Sequence, residues 1–266
     1  MIIKKQKTTS PKKLVPLLFL LCLFTFQQGC SKTPEKKALI TFQFDDTFIT
    51  QYTIAKPLFD SKNIKATLMV RTSNAGKSEY FMSWAQLKEM HDDGWEIASH
   101  TVNHINLKNA DESAIRYELS RSKAELKEHG FQNVTNFAYP YNWYDLKTLY
   151  IVPEYYRSAR TSVAQTDFHI NPEKIRPYEL SGYEARLSIG NVADTFKYVD
   201  KAQKEGRWLI FILHELSDNT SASKTSTVEV SDIKPLEMLI DYIQERDIPI
   251  VTTEQALDSF VGSESP

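Results

Sequence analysis

Cysteine is nearly missing from this chain: 266 residues hold only two, Cys22 and Cys30. That excludes a small disulfide scaffold and leaves an exported form dependent on its core alone. Net charge is also small. Lys and Arg number 32 against 34 Asp and Glu, giving −2 at pH 7. A dedicated nucleic-acid binder would carry a basic excess. There is no internal repeat, and no Gly-x-Ser-x-Gly elbow of the kind that marks many serine hydrolases. What is present is core material. With 41% hydrophobic and 12% aromatic residues, the chain is neither disordered nor collagen-like.

The charge balance hides an asymmetric N-terminus. Residues 1–29 contain five lysines and neither acid nor arginine, and residues 14–26 form an apolar run interrupted only by Pro16 and Thr25. A basic segment followed by a short apolar one reads as a secretory signal. The run is shorter than the roughly 20 residues of a membrane-spanning helix. It ends in Gln27-Gln28-Gly29-Cys30, which resembles a bacterial lipoprotein processing site, although Gln27 stands where an aliphatic residue is usual. The expectation is a signal over 1–29, lipidation of Cys30, and a polar tether over 30–37. The product would be exported and held in the cell envelope by its lipid. Loss of the five lysines takes the net charge to −7, which disfavours nucleic acid and anionic membrane surfaces as partners.

Beyond the tether, strand and helix patterns alternate. Strands are expected at 39–44, 66–70, 95–99, 136–141, 158–163, 208–213 and 248–251. Helices are expected at 52–60, 83–90, 112–129, 145–156, 192–205, 233–245 and 253–260. Residues 164–190 resist assignment, and the Ser/Thr-rich stretch 219–227 reads as a loop. Such alternation implies a parallel sheet covered on both faces, and the number of units suggests a barrel. Catalytic groups then belong at the C-terminal ends of the strands.

The polar residues fall at those ends. The first strand closes in Asp45-Asp46, the third in His100 with His104 four residues on, the fourth in Tyr139-Pro140-Tyr141-Asn142-Trp143-Tyr144, and the apolar 208–213 run in His214. Taken singly, each has a plain structural reading as a helix cap, a solvated turn or a loop packed on the core. Together they match a catalytic design. Two imidazoles and a carboxylate form a familiar zinc set with positions left open. The aromatics Tyr139, Tyr141 and Trp143 offer faces for stacking on sugar rings.

Thr41-Phe42-Gln43-Phe44-Asp45-Asp46, His100-Thr101-Val102-Asn103-His104, Phe137-Ala138-Tyr139-Pro140-Tyr141 and Ile210-Phe211-Ile212-Leu213-His214 occur in an order that resembles the polysaccharide deacetylase family, carbohydrate esterases with the NodB-homology domain. The resemblance implies a distorted (β/α) barrel as a single domain over 38–262, and metal-dependent removal of acetyl groups from an acetylated glycan. By motif position, Asp46, His100 and His104 would hold one divalent ion. Zinc is the first expectation, with cobalt, nickel and manganese as alternatives. Asp45 would be the general base, His214 the general acid, and the Tyr141 N–H an oxyanion donor.

Two family features are displaced. Ala138 stands where an arginine commonly steadies the base, and Arg160 is the candidate to supply that charge. The aspartate–tryptophan motif that orients the acid histidine has its nearest likeness in Asp167-Phe168. The alternative for Arg160 and Asp167 is a surface charge. The functional expectation is N-deacetylation. The alternatives are an O-acetyl esterase and a non-catalytic glycan-binding protein.

Overall fold

In a computed structural model, the described residues are 1–2, 37–162, 169–172, 174–218 and 230–261. Residues 3–29 of the expected signal, Cys30, Asp167 and the 219–227 loop lie outside them. Among the described residues, no helix is long and apolar enough to cross a membrane.

Seven parallel strands close into a barrel: β1 (Leu39–Asp45), β2 (Thr67–Val70), β3 (Glu96–Ser99), β4 (Asn136–Ala138), β5 (Ser158–Thr161), β6 (Leu180–Glu184) and β7 (Trp208–Leu213). Closure runs along β1 and β7, in register from Leu39 opposite Trp208 to Phe44 opposite Leu213. The expected (β/α) barrel is therefore the architecture found. The helices are α1 (Lys56–Ser61), α2 (Trp84–Asp92), α3 (Glu112–Glu128), α4 (Leu146–Ile151), α5 (Val192–Glu205), α6 (Ile233–Gln244) and α7 (Thr253–Val261). A short parallel pair, β8 (Glu215–Ser217) and β9 (Val230–Asp232), follows β7.

Local chemistry explains the boundaries. Ser83 and Gln86 form a reciprocal capping box at α2, and the Asp111 carboxylate accepts from Ala114 N at α3. Gly206, in the left-handed region at φ 60°, ends α5. Alternation along β1 sends Phe42 and Phe44 outward and Thr41, Gln43 and Asp45 inward. Phe42 stacks on Phe211 and meets Phe59 edge-on, and Phe44 and Trp95 complete the packing around Phe59. At the N-terminal mouth, Ala256 and Leu257 of α7 pack on Leu39, Leu180, Trp208 and Ile210, so α7 plugs the barrel floor.

Two expectations are corrected. Residues 248–251 make one bridge, Ile250 to Ile40, rather than a strand. They fill the edge of β1 below the point where β2 begins to pair, and Pro249 has no N–H to extend a ladder. The unassigned region contains β6, which is short, mixed in character and interrupted by Gly182.

Gly182 is a point of close approach. A Cβ there would lie 2.7 Å from Ile212 Cδ1 and 3.2 Å from the Arg160 side-chain stem. Gly182→Ala is expected to overpack the interior and destabilise the fold by about 1–3 kcal/mol, read as a lowered midpoint in urea denaturation.

Candidate active site

The barrel's C-terminal rim gathers the polar strand ends, and their loops bend sharply. Asp46, Thr47, Thr101, His104, Tyr141 and Asn142 all have φ between 57° and 72°. Non-glycine residues hold this left-handed conformation at a cost of order 1–3 kcal/mol each, so surrounding bonds must enforce it. They do. Gln51 Nε2 donates to the carbonyls of Asp45 (2.5 Å) and His214 (3.1 Å), tying β1 to β7 above the closing seam. Asn74 Nδ2 donates to the Asp46 carbonyl at 2.9 Å.

The His-x-x-x-His segment is a loop, not a helix. One buried carboxylate, Glu118 of α3, accepts from Val102 N, Asn103 N and Asn103 Nδ2, each at 2.8 Å. The Thr101 hydroxyl donates to the His100 carbonyl and accepts from His104 N. His100 Nδ1 lies 2.9 Å from the Ala138 carbonyl. A carbonyl only accepts, so Nδ1 carries a proton, and Nε2 is the ring nitrogen left to face the rim carboxylates and a cation. Burial, with the neighbouring His100, lowers the His104 pKa to about 4 against the opposing pull of Asp46, so the His104 ring is neutral near pH 7.

Asp46, His100 and His104 each offer a ligand atom, and these atoms all lie within 4.8 Å of one another. Asp46 Oδ1 is buried with no hydrogen-bond partner and sits 3.7 Å from His104 Nε2. A buried anionic oxygen without a donor, beside two imidazole nitrogens, suits a divalent cation.

Asp45 lies next to this group. Arg160 Nη2 donates to both its oxygens at 2.6 Å, and both side chains are buried. The guanidinium arrives from β5, where Arg160 is the register partner of Ala138. His100 Nε2 and His214 Nε2 each stand 3.8 Å from Asp45 Oδ2. Burial alone would raise the Asp45 pKa; Arg160, with His100 and His214, outweighs it and holds the carboxyl at about 2.

The rim aromatics divide. Tyr141 is 55% exposed and Trp143 54%, their ring centroids 6.3 Å apart, and Tyr141 meets the His104 ring edge-on at 4.5 Å. Tyr139 corrects the expectation of a sugar-stacking ring. It is fully buried, stacks on Tyr144 and donates to the Tyr178 carbonyl. Sequence reasoning missed two residues. Glu184, at the end of β6, places a buried oxygen lacking any hydrogen-bond partner 3.8 Å from His214 Nδ1. Asn142 accepts from Arg160 Nη1 and donates to Glu184 Oε1, both at 2.7 Å, joining the two sides of the site. No sequence signal marks Glu184, because its strand was not recognisable.

Residues 31–156 match the family described as polysaccharide deacetylase. That match covers just under half of the chain. The match ends before Arg160, Glu184 and His214, which the chain brings to the site from its later strands. Among similar proteins are the putative polysaccharide deacetylase YxkH of Bacillus subtilis, 31% identical over 44% of this chain and 41% of the relative, and a poly-beta-1,6-N-acetyl-D-glucosamine N-deacetylase of Staphylococcus aureus, 25% identical over 67% and 62%. The matches thus span less than two thirds of these relatives' own lengths. The solved Streptococcus pyogenes deacetylase PplD, in complex with acetate, is 29% identical with a TM-score of 0.52, over 58% of this chain and 69% of that one.

Two outcomes are expected. Asp45 has a depressed folded pKa, so its stabilisation is complete above its ordinary value of 3.8 and is lost as pH falls towards 2. The stability difference between the metal-free chain and Asp45→Asn, measured in urea, should shrink across that interval. Glu118→Gln should loosen the histidine loop and weaken zinc binding by about 10–100-fold in calorimetric titration, while Asn103→Ala, which removes one of the three bonds to Glu118, should weaken it less.

Proposed function

We propose that this chain is a hydrolase that removes N-acetyl groups from a carbohydrate, using a divalent ion held by Asp46, His100 and His104. The observation that carries the reading is the convergence of those three ligand atoms beside the buried Asp45–Arg160 pair, with His214 on the same carboxylate. The names of the Staphylococcus and Streptococcus relatives support the same chemistry. Zinc suits the donor set best. When bound, such an ion acidifies water and polarises an acetyl carbonyl.

The remaining work belongs to the protein. Asp45, ionised at every physiological pH, accepts the proton of the attacking water at a carboxylate oxygen while Arg160 keeps that carboxylate in place. Water oxygen joins the acetyl carbon, the carbon–nitrogen bond breaks, acetate leaves, and His214 gives a proton to the departing amine. Glu184 orients the His214 ring from the Nδ1 side. The Tyr141 N–H donates to the developing oxyanion. Tyr141 and Trp143 supply exposed faces for a sugar ring. The lipoprotein-type N-terminus supports an acetylated glycan of the cell envelope as the substrate.

The test is acetate release by the full chain with zinc, across N-acetylated oligosaccharides and O-acetylated xylan. Release from N-acetyl substrates is expected, with kcat falling about 10²–10⁴-fold in Asp45→Asn. His214→Ala should cost more on N-acetyl than on O-acetyl substrates, because an amine leaves poorly without a proton. Release from O-acetyl substrates alone would move the assignment to an esterase. No release from either, by a folded zinc-loaded chain, would overturn the hydrolytic reading in favour of glycan binding.

A further inference from the structure

The barrel interior below Asp45 is polar where hydrocarbon would be usual. Gln43, Thr67, Glu96, Asn136 and Ser158, one from each of β1 to β5, are all buried, and Thr253 at the start of α7 joins them. Their bonds form a continuous chain. Arg160 Nε donates to Gln43 Oε1 at 2.9 Å, and Gln43 Nε2 donates to Thr253 Oγ1 at 2.8 Å. The hydroxyls of Thr253 and Thr67 are 2.9 Å apart, and Thr67 donates to Glu96 Oε2 at 2.9 Å. Glu96 also accepts from Asn136 Nδ2 and from the Glu254 N–H in the first turn of α7.

The direction of this chain is determined by its ends. A guanidinium can only donate and a carboxylate only accept. Arg160 therefore makes Gln43 turn its oxygen upward and its amide nitrogen down to Thr253. The Thr67 proton goes to Glu96, so the Thr253 proton goes to Thr67. Each group has one orientation compatible with its neighbours. The guanidinium plane of Arg160 is then held at three points: Nη2 on Asp45, Nη1 on Asn142 and Nε on Gln43. Removing the Nε anchor leaves the guanidinium held only at its two terminal nitrogens and its stem without a bond inside the barrel.

We propose that Gln43 and Thr253 are positioning residues for the reaction: the bond chain from the first turn of α7 orients Arg160, and through it the carboxylate of Asp45. Helix α7, which plugs the opposite end of the barrel, thereby takes part in setting the active site. The inference rests on Asp45 acting as the base.

The experiment uses the full chain carrying Thr253→Val, Thr253→Ser, Gln43→Met or the pair Gln43→Met with Thr253→Val. The first readout is hydrogen exchange of the Arg160 Nε–H, followed by nuclear magnetic resonance of the metal-free protein and independent of any activity. Slow exchange is expected in the parent chain and in Thr253→Ser, and fast exchange in Gln43→Met and Thr253→Val. The second readout is steady-state kinetics with zinc. Thr253→Val should lower kcat by about tenfold or more with KM within about twofold, and Thr253→Ser should restore most of it. The double variant should be no worse than Gln43→Met alone, since one chain is broken once. Unchanged exchange, additive losses, or equal damage from Ser and Val would overturn the proposal. If the parent chain releases no acetate, the proposed function fails, and exchange alone then decides whether the bond chain holds Arg160.

Discussion

A single ion pair inside the barrel, Arg160 with Asp45, constrains the rest of the site. Removing two charges from water is costly, and their attraction offsets that cost only when geometry and remaining hydrogen bonds are satisfied. Here they are. Asp45 receives two short bonds from one guanidinium nitrogen, and the other guanidinium nitrogens are taken by Gln43 and Asn142. The pair links β5 to β1 across the interior. Such a pair contributes little net stability against a well-packed apolar alternative, but it holds a carboxylate ionised in a buried place. That is the state a proton acceptor requires.

Around this pair, rigidity and strain are divided between two levels. The barrel below is regular, with closure through six register partners of β1 and β7. The rim above carries the left-handed residues at the ends of β1, β3 and β4. Each strained loop has an anchor that contributes no reacting atom: Gln51 for the first, Glu118 for the second, and Thr161, whose hydroxyl donates to the Asn142 carbonyl, for the third. The anchors come from other elements, so the site's shape depends on helices and strands docking correctly before any ligand arrives.

Much of this was legible in the chain. Strand–helix alternation, with polar residues following each apolar run, located Asp45, Asp46, His100, His104 and His214, because period-two burial and strand-end chemistry are local properties. Arg160 was legible as a candidate, but its partner was not, since the contact joins residues 115 positions apart. Tyr139 misled for the opposite reason. An aromatic beside exposed aromatics looks alike in sequence whether it faces solvent or core, and its place on the buried side follows from packing on Tyr144 and Phe137. Glu184 was invisible because β6 exists only through pairing with β5 and β7, not through its own propensity.

The chain by itself therefore determined the layered alternation, the closing strand ends, and the residue types able to bind a cation and move protons. These are consequences of side-chain chemistry and short-range periodicity. Only the tertiary structure decided which carboxylate Arg160 faces, which carboxylate stands behind His214, and how Thr253 of α7 is bonded through Gln43 to Arg160. Those relations depend on long-range closure of the barrel. A hydrogen bond acts over about 3 Å, and no pattern along the chain specifies which distant groups come within that range.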